Sequence, residues 1–103
     1  MTPSETNAES DRPVRSSINV PPDLVVGLLG SADENLRALE KLLAADIHAR
    51  GNAITLSGEP ADVALAERAI SELVAIVASG QPLTAEVVRH SVAMLTEIGR
   101  AHV

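Results

Sequence analysis

Apolar and polar positions along this chain change period several times, and the changes mark out its elements. The first fifteen residues, MTPSETNAESDRPVR, offer almost nothing to bury and read as a disordered tail. Order is expected from Ser16. Ser17-Ile18-Asn19-Val20 alternates with period two, which suits a short half-buried strand, and Pro21-Pro22 ends it because neither proline can donate to a ladder. Pro22-Asp23 opens a short helix carrying Leu24, Val25, Leu28 and Leu29. Gly30 interrupts it. Ser31 is then placed to cap a second helix, with Glu34 three residues on at the capping-box spacing. That helix sets Leu36, Leu39, Leu42 and Leu43 on one stripe.

Two period-two segments follow, Asp46 to Arg50 and Ala53 to Ser57, and Gly51-Asn52 between them predicts a tight hairpin. Gly58-Glu59-Pro60 leads into a long helix with Val63, Ala66, Ile70, Leu73, Val74 and Val77 facing inward. Gly80 stands where a helix-ending glycine belongs. Thr84 caps a last helix with Val88, Val92 and Leu95 on one side. The expected fold is α+β: strand, helix, helix, strand, strand, helix, as a three-stranded sheet packed on helices, plus a C-terminal helix. Residues 16–80 form the domain and 81–97 a linker helix.

Composition sharpens this picture. Hydrophobic residues are 46% of the 103, yet aromatics are 0%, so the core must be aliphatic and packed by shape. With no cysteine, disulfides and thiolate metal sites are excluded. The N-terminus has no apolar signal region and no run approaches membrane-spanning length, so a soluble, cytoplasmic protein without membrane contact is expected. Net charge is −6, and from Ser16 to Gly80 nine carboxylates face four cations. That balance opposes tight capture of nucleic acid, which needs Lys and Arg to displace counterions.

The layout from Val26 to Leu56 resembles a KH module, in which two helices meet at a G-x-x-G loop that grips a nucleic-acid backbone. Here the loop reads Gly30-Ser31-Ala32-Asp33, with aspartate in place of the second glycine. Gly30, Ser31 and Ala32, with Arg37 and Lys41 on the helix that follows and Arg50 on the next strand, are the candidate contacts to an RNA backbone. Against them, Asp33 and Glu34 repel phosphate and complement the helix dipole instead, and Asp33 is spaced i,i+4 from Arg37 for an ion pair. His48 and Arg50 share a strand face with Asp46. His48, His90 and His102 have no metal-ligand spacing, and Asp62, Glu67 and Glu72 read as a solubilising surface rather than an acid/base pair. No catalytic, cofactor or metal residue is assigned, and no aromatic platform exists for base stacking.

The wider wording is more specific. VPPDLVVGLLGSADENLRALEKLLAADIHARGNAITLSGEPADVALAERAISELV, followed by GQPLTAEVVRHSVAML, resembles the N-terminal region of PhoH-like proteins, bacterial cytoplasmic P-loop ATPases. The G-x-x-x-x-N-L wording of Gly30 to Leu36 and the L-S-G turn of Leu56 to Gly58 carry much of that resemblance. It implies a following ATPase domain with a G-x-x-x-x-G-K-[ST] loop, ATP and magnesium as cofactors of the full-length family, and a homo-oligomeric full-length form. This chain has no such loop, and its only lysine, Lys41, lies mid-helix, so alone it is expected to be inactive. Three roles follow: an accessory module separated from its ATPase domain, a weak stand-alone RNA binder, or a protein-docking module that uses the apolar stripe of the last helix. The C-terminus bears on the first. Ile98 to Val103 back-translates as ATC GGA AGA GCA CAC GTC, the start of a widely used short-read sequencing adapter whose next codon is a stop. Residues 98–103 are therefore expected to be non-native, the alternative being a helix ended by Gly99.

Overall fold

The computed structural model describes residues 13–101, with backbone alone from 97 onward. The elements are β1 (Val14–Asn19), α1 (Pro22–Leu29), a 3-10 turn (Ser31–Asp33), α2 (Glu34–Leu42), β2 (Asp46–Arg50), β3 (Ala53–Gly58), α3 (Pro60–Ala78) and α4 (Ala85–Ala101). This is the expected α+β order. The three strands form one antiparallel sheet in the order β1-β3-β2. The helices cover one of its faces.

Register explains which side is buried. Ile18, Ile54 and Ala49 stand in one cross-strand row, and Ser16, Leu56 and Ile47 in the next. Ile47, Ile54 and Leu56 are buried there against Val63, Ala66, Ala69, Ile70 and Leu73 of α3, in the same aliphatic core as Leu28, Leu39, Val88 and Val92. Ser16 joins this side through a hydrogen bond from its hydroxyl to the Glu67 carboxylate, which ties β1 to α3. The strand begins at Val14 rather than Ser16, because Val14 and Arg15 find partners in Gly58 and Ser57.

Helix ends follow local chemistry. Proline at the first position of α1 and of α3 costs no hydrogen bond, since that N–H would be free anyway. At the end of α3, Gly80 takes φ +89; its N–H meets the Val77 carbonyl and that of Gln81 the Ile76 carbonyl, a Schellman closure. Thr84 caps α4 by accepting the Val87 N–H at 3.3 Å. Helix α4 continues through Gly99, so that residue does not end it. The adapter reading concerns side chains and a terminus outside the described residues.

Two expectations need correction. Ser31 does not cap α2. The N-cap is Asp33 in a left-handed conformation, with no side-chain capping bond, because the chain winds through a 3-10 turn first. The leucine stripe of α2 also departs at one position, Leu42, while Leu36, Leu39 and Leu43 pack on the core as expected. The helix stops at Leu42 and Leu43 is extended (φ −110, ψ 144), so Leu43 turns into the core while Leu42 stays 40% exposed. Beside Leu36 and Leu39, the inward face of α2 also carries Asn35 and Ala38.

Candidate functional site

The turn between α1 and α2 is built by a run of unusual backbone angles. Gly30 has φ +81, Ala32 φ +53 and Asp33 φ +58. Asp33 thus adopts the left-handed geometry for which glycine is the natural residue, and aspartate is one of the side chains that tolerate it best. Ala32 has no such excuse. A left-handed alanine costs about 1–2 kcal/mol, whereas glycine loses only about 0.5–1 kcal/mol through its greater freedom in the unfolded chain. Ala32→Gly is therefore expected to stabilise the protein by roughly 0.5–1 kcal/mol, read as a higher urea midpoint at unchanged slope.

Beneath this turn lies Asn35, the one buried polar side chain among the described residues. Its Nδ2 donates to the Gly27 carbonyl at 3.3 Å and to the Leu83 carbonyl at 3.0 Å. Gly27 belongs to the last turn of α1, where carbonyls lack helical partners, and Leu83 precedes the cap of α4. One amide therefore fastens three segments. Both partners are acceptors, so only the NH2 side can face them. The Asn35 Oδ1 atom is buried without a donor. Glycine at position 30 has a steric reason too, since a Cβ there would stand 2.8 Å from Asn35 Nδ2. The G-x-x-x-x-N spacing is thus a physical unit: a missing side chain makes room for an amide.

Outside the turn is a concavity of about 360 Å³ lined by Val26, Gly27, Gly30, Glu34, Val77 and Leu83, among others. Val26 stands 73% exposed at its rim, and Ser31, Pro82 and Gln81 complete it. A second concavity of about 240 Å³ separates the end of α2 from β2, and it carries the carboxylates of Glu40 and Asp46 beside Leu43, Ala44 and Ile47.

The predicted contact residues are only partly assembled. Gly30, Ser31 and Ala32 form the turn, and Arg37 and Lys41 are exposed on α2 just after it. Arg50 is elsewhere. It ends β2 at the hairpin, where the Asn52 carbonyl takes the Val20 N–H just before α1 begins. The eight residues of α1 separate that end from the turn, a length of about 12 Å. Asp33 sits at the N-cap with left-handed angles, so helical i,i+4 geometry with Arg37 does not apply.

The sheet face away from the helices carries Arg50, His48 and Asp46 of β2, with Arg15, Ser17 and Asn19 of β1 flanking Ala53, Thr55 and Ser57 of β3. Arg15 lay in the expected tail, and only its pairing with Ser57 reveals its place. Val88 and Val92, expected as a docking stripe, are buried in the protein's own core, which removes them as a contact for a partner. No group of His, Asp or Glu able to hold a metal occurs among the described residues, and no described helix is long and apolar enough to cross a membrane. Asp33 and Glu34 open α2 and oppose an anion at its N-terminus, and Lys41 lies in its last turn.

The chain is thus an α+β module with a three-stranded antiparallel sheet, helices on one face, and an asparagine-fastened turn. No family model matches it. A crystal structure of a protein of unknown function from Aeropyrum pernix shares this fold with TM-score 0.59 at 16% identity, over 87% of this chain and 50% of that one. PhoH-like proteins of Mycobacterium tuberculosis and Mycobacterium bovis are 73% identical over 106 residues, and that of Mycobacterium leprae 72% over 103. In each case 96% of this chain matches, and it spans 30% of the relative's length. The chain is thus similar to one segment of PhoH-like proteins.

Proposed function

We propose that this chain is the N-terminal accessory module of a PhoH-like ATP-binding protein, and that the nucleotide chemistry belongs to a following domain. The observation that carries this reading is the 73% identity to PhoH-like proteins of which the chain is only 30%, in a sequence with no G-x-x-x-x-G-K-[ST] loop. In this reading the domain of residues 16–80 gains Val14 and Arg15 of β1 and the packed face of α4, the helix within 81–97 leads on toward the ATPase domain, and 98–103 are an adapter-derived tail. The module docks on that domain or helps it assemble as a homo-oligomer, in the cytoplasm. The test is the genomic reading frame past Thr96. A frame that continues to such a loop supports the proposal, and a native stop after Val103 defeats it.

Guidance of single-stranded RNA is the second reading, through a KH-like use of the turn. The element order and the left-handed geometry at Asp33 favour it. The carboxylates of Asp33, Glu34, Glu40 and Asp46 oppose it, as does the lack of aromatic stacking. Any such binding is therefore weak and salt-dependent. Anisotropy of a labelled RNA single strand at low salt tests it: Arg37→Glu with Lys41→Glu should abolish the signal, and an unchanged signal rejects the turn as the contact.

A further inference from the structure

We infer that the segment from Gly30 to Asn35 is a poised latch that couples the α1–α2 turn to the start of α4, so that disengaging one end releases the other. This stands apart from the ATPase and RNA readings and needs neither.

The coupling rests on a single side chain. Asn35 reaches back eight residues to Gly27 and forward forty-eight to Leu83. The segment around Leu83 links α3 to α4, and its carbonyl is held to the turn by this amide. Leu83 also lines the concavity shared with Gly27, Gly30 and Glu34, so the two sides of the latch are two walls of one cleft.

Two features keep the closed state from being a deep minimum, and a third confines the amide to its place. The Asn35 Oδ1 atom is buried with no donor, so closure leaves one acceptor unsatisfied that water would satisfy on opening. Ala32 and Asp33 hold left-handed angles that opening would let them leave. Finally, Gly30 must remain without a side chain for the amide to lie where it does. An ordinary structural asparagine has its polar atoms matched and its neighbours relaxed. This one has its nitrogen matched but its oxygen unpartnered, with the left-handed Ala32 close by in the turn. A contact that reshapes the turn through the cleft would therefore be felt at the first turns of α4.

The experiment is hydrogen–deuterium exchange on the purified chain, comparing Gly30→Ala with Gly51→Ala. Both positions have positive φ (+81 and +61), so both substitutions strain the backbone. Only at Gly30 does the new Cβ meet Asn35, while at Gly51 nothing lies within 4 Å. Gly30→Ala is expected to speed exchange of the amides from Val88 to Val92 at least tenfold relative to those of β3, and Gly51→Ala to leave that ratio within twofold. A uniform rise across all elements, or a rise confined to residues 28–34, overturns the latch. Should Gly30→Ala not fold, the unmodified protein still decides. The two Asn35 side-chain protons should be separately resolved and exchange at least tenfold slower than those of Asn19, and equal rates overturn the inference.

Discussion

Asn35→Leu is expected to lower stability by about 1–2 kcal/mol, although leucine shares asparagine's branched skeleton and is the more hydrophobic residue. The leucine removes both amide donors, one from the Gly27 carbonyl and one from that of Leu83. Gly27 is within the last turn of α1, and Leu83 lies in a link that makes no ladder. Both bonds are only part-buried at the edge of a cleft, so each carbonyl left without its donor costs about 1 kcal/mol, and removing the buried, unpartnered Oδ1 offsets part of that sum. In a domain of this size the loss corresponds to a fall in Tm of roughly 5–15 °C. Asn35→Asp should be worse. It keeps the shape but puts a buried carboxylate against two carbonyl oxygens. Thermal unfolding followed by circular dichroism ranks the variants, and the order wild type, leucine, aspartate is the expected one. A leucine variant as stable as the wild type would show that the amide only fills space.

Local periodicity made most of the fold legible, and it failed where a residue's role depends on a distant partner. The hairpin at Gly51-Asn52, the closure at Gly80 and the cap at Thr84 are each decided within a few residues, and each forms as the sequence predicts. The stripe of α2 holds at Leu36, Leu39 and Leu43 and fails only at Leu42, because the helix stops there and a single extended residue rotates Leu43 inward. Nothing local signals that stop. Asn35 is the sharper case. Its position one turn before Ala38 and Leu39 put it on the buried stripe, and a polar residue there was a readable sign of a special bond. Its second acceptor is forty-eight residues away, however, and no local pattern names Leu83. Arg15 was lost for the same reason, since only the pairing of β1 with β3 lifts it out of the apparent tail. Ser31 illustrates the opposite error. The capping-box spacing was present, but the left-handed angles of Ala32 and Asp33 move the helix start beyond its reach.

Leu56→Ala is expected to be the most damaging single truncation, at about 3–5 kcal/mol. Leu56 is fully buried on the central strand, between Ser16 of β1 and Ile47 of β2, on the face that α3 covers. Strands on both sides fix its backbone, so the site cannot collapse around the lost methyls, and the cavity term is felt in full. A core with no aromatic ring makes this worse, because only small aliphatic neighbours are available to shift into the gap. Domains of this size hold only about 5–15 kcal/mol in total, so the variant should be partly unfolded near 37 °C. Leu42→Ala is the matching control. It removes the same atoms from a residue that the sequence placed on the same kind of stripe but that is 40% exposed, and it should cost under about 1 kcal/mol. Urea denaturation of the two variants separates the cases. Comparable losses would mean that α2 continues through Leu43 and turns Leu42 inward, whereas a several-fold difference follows from a helix that ends at Leu42.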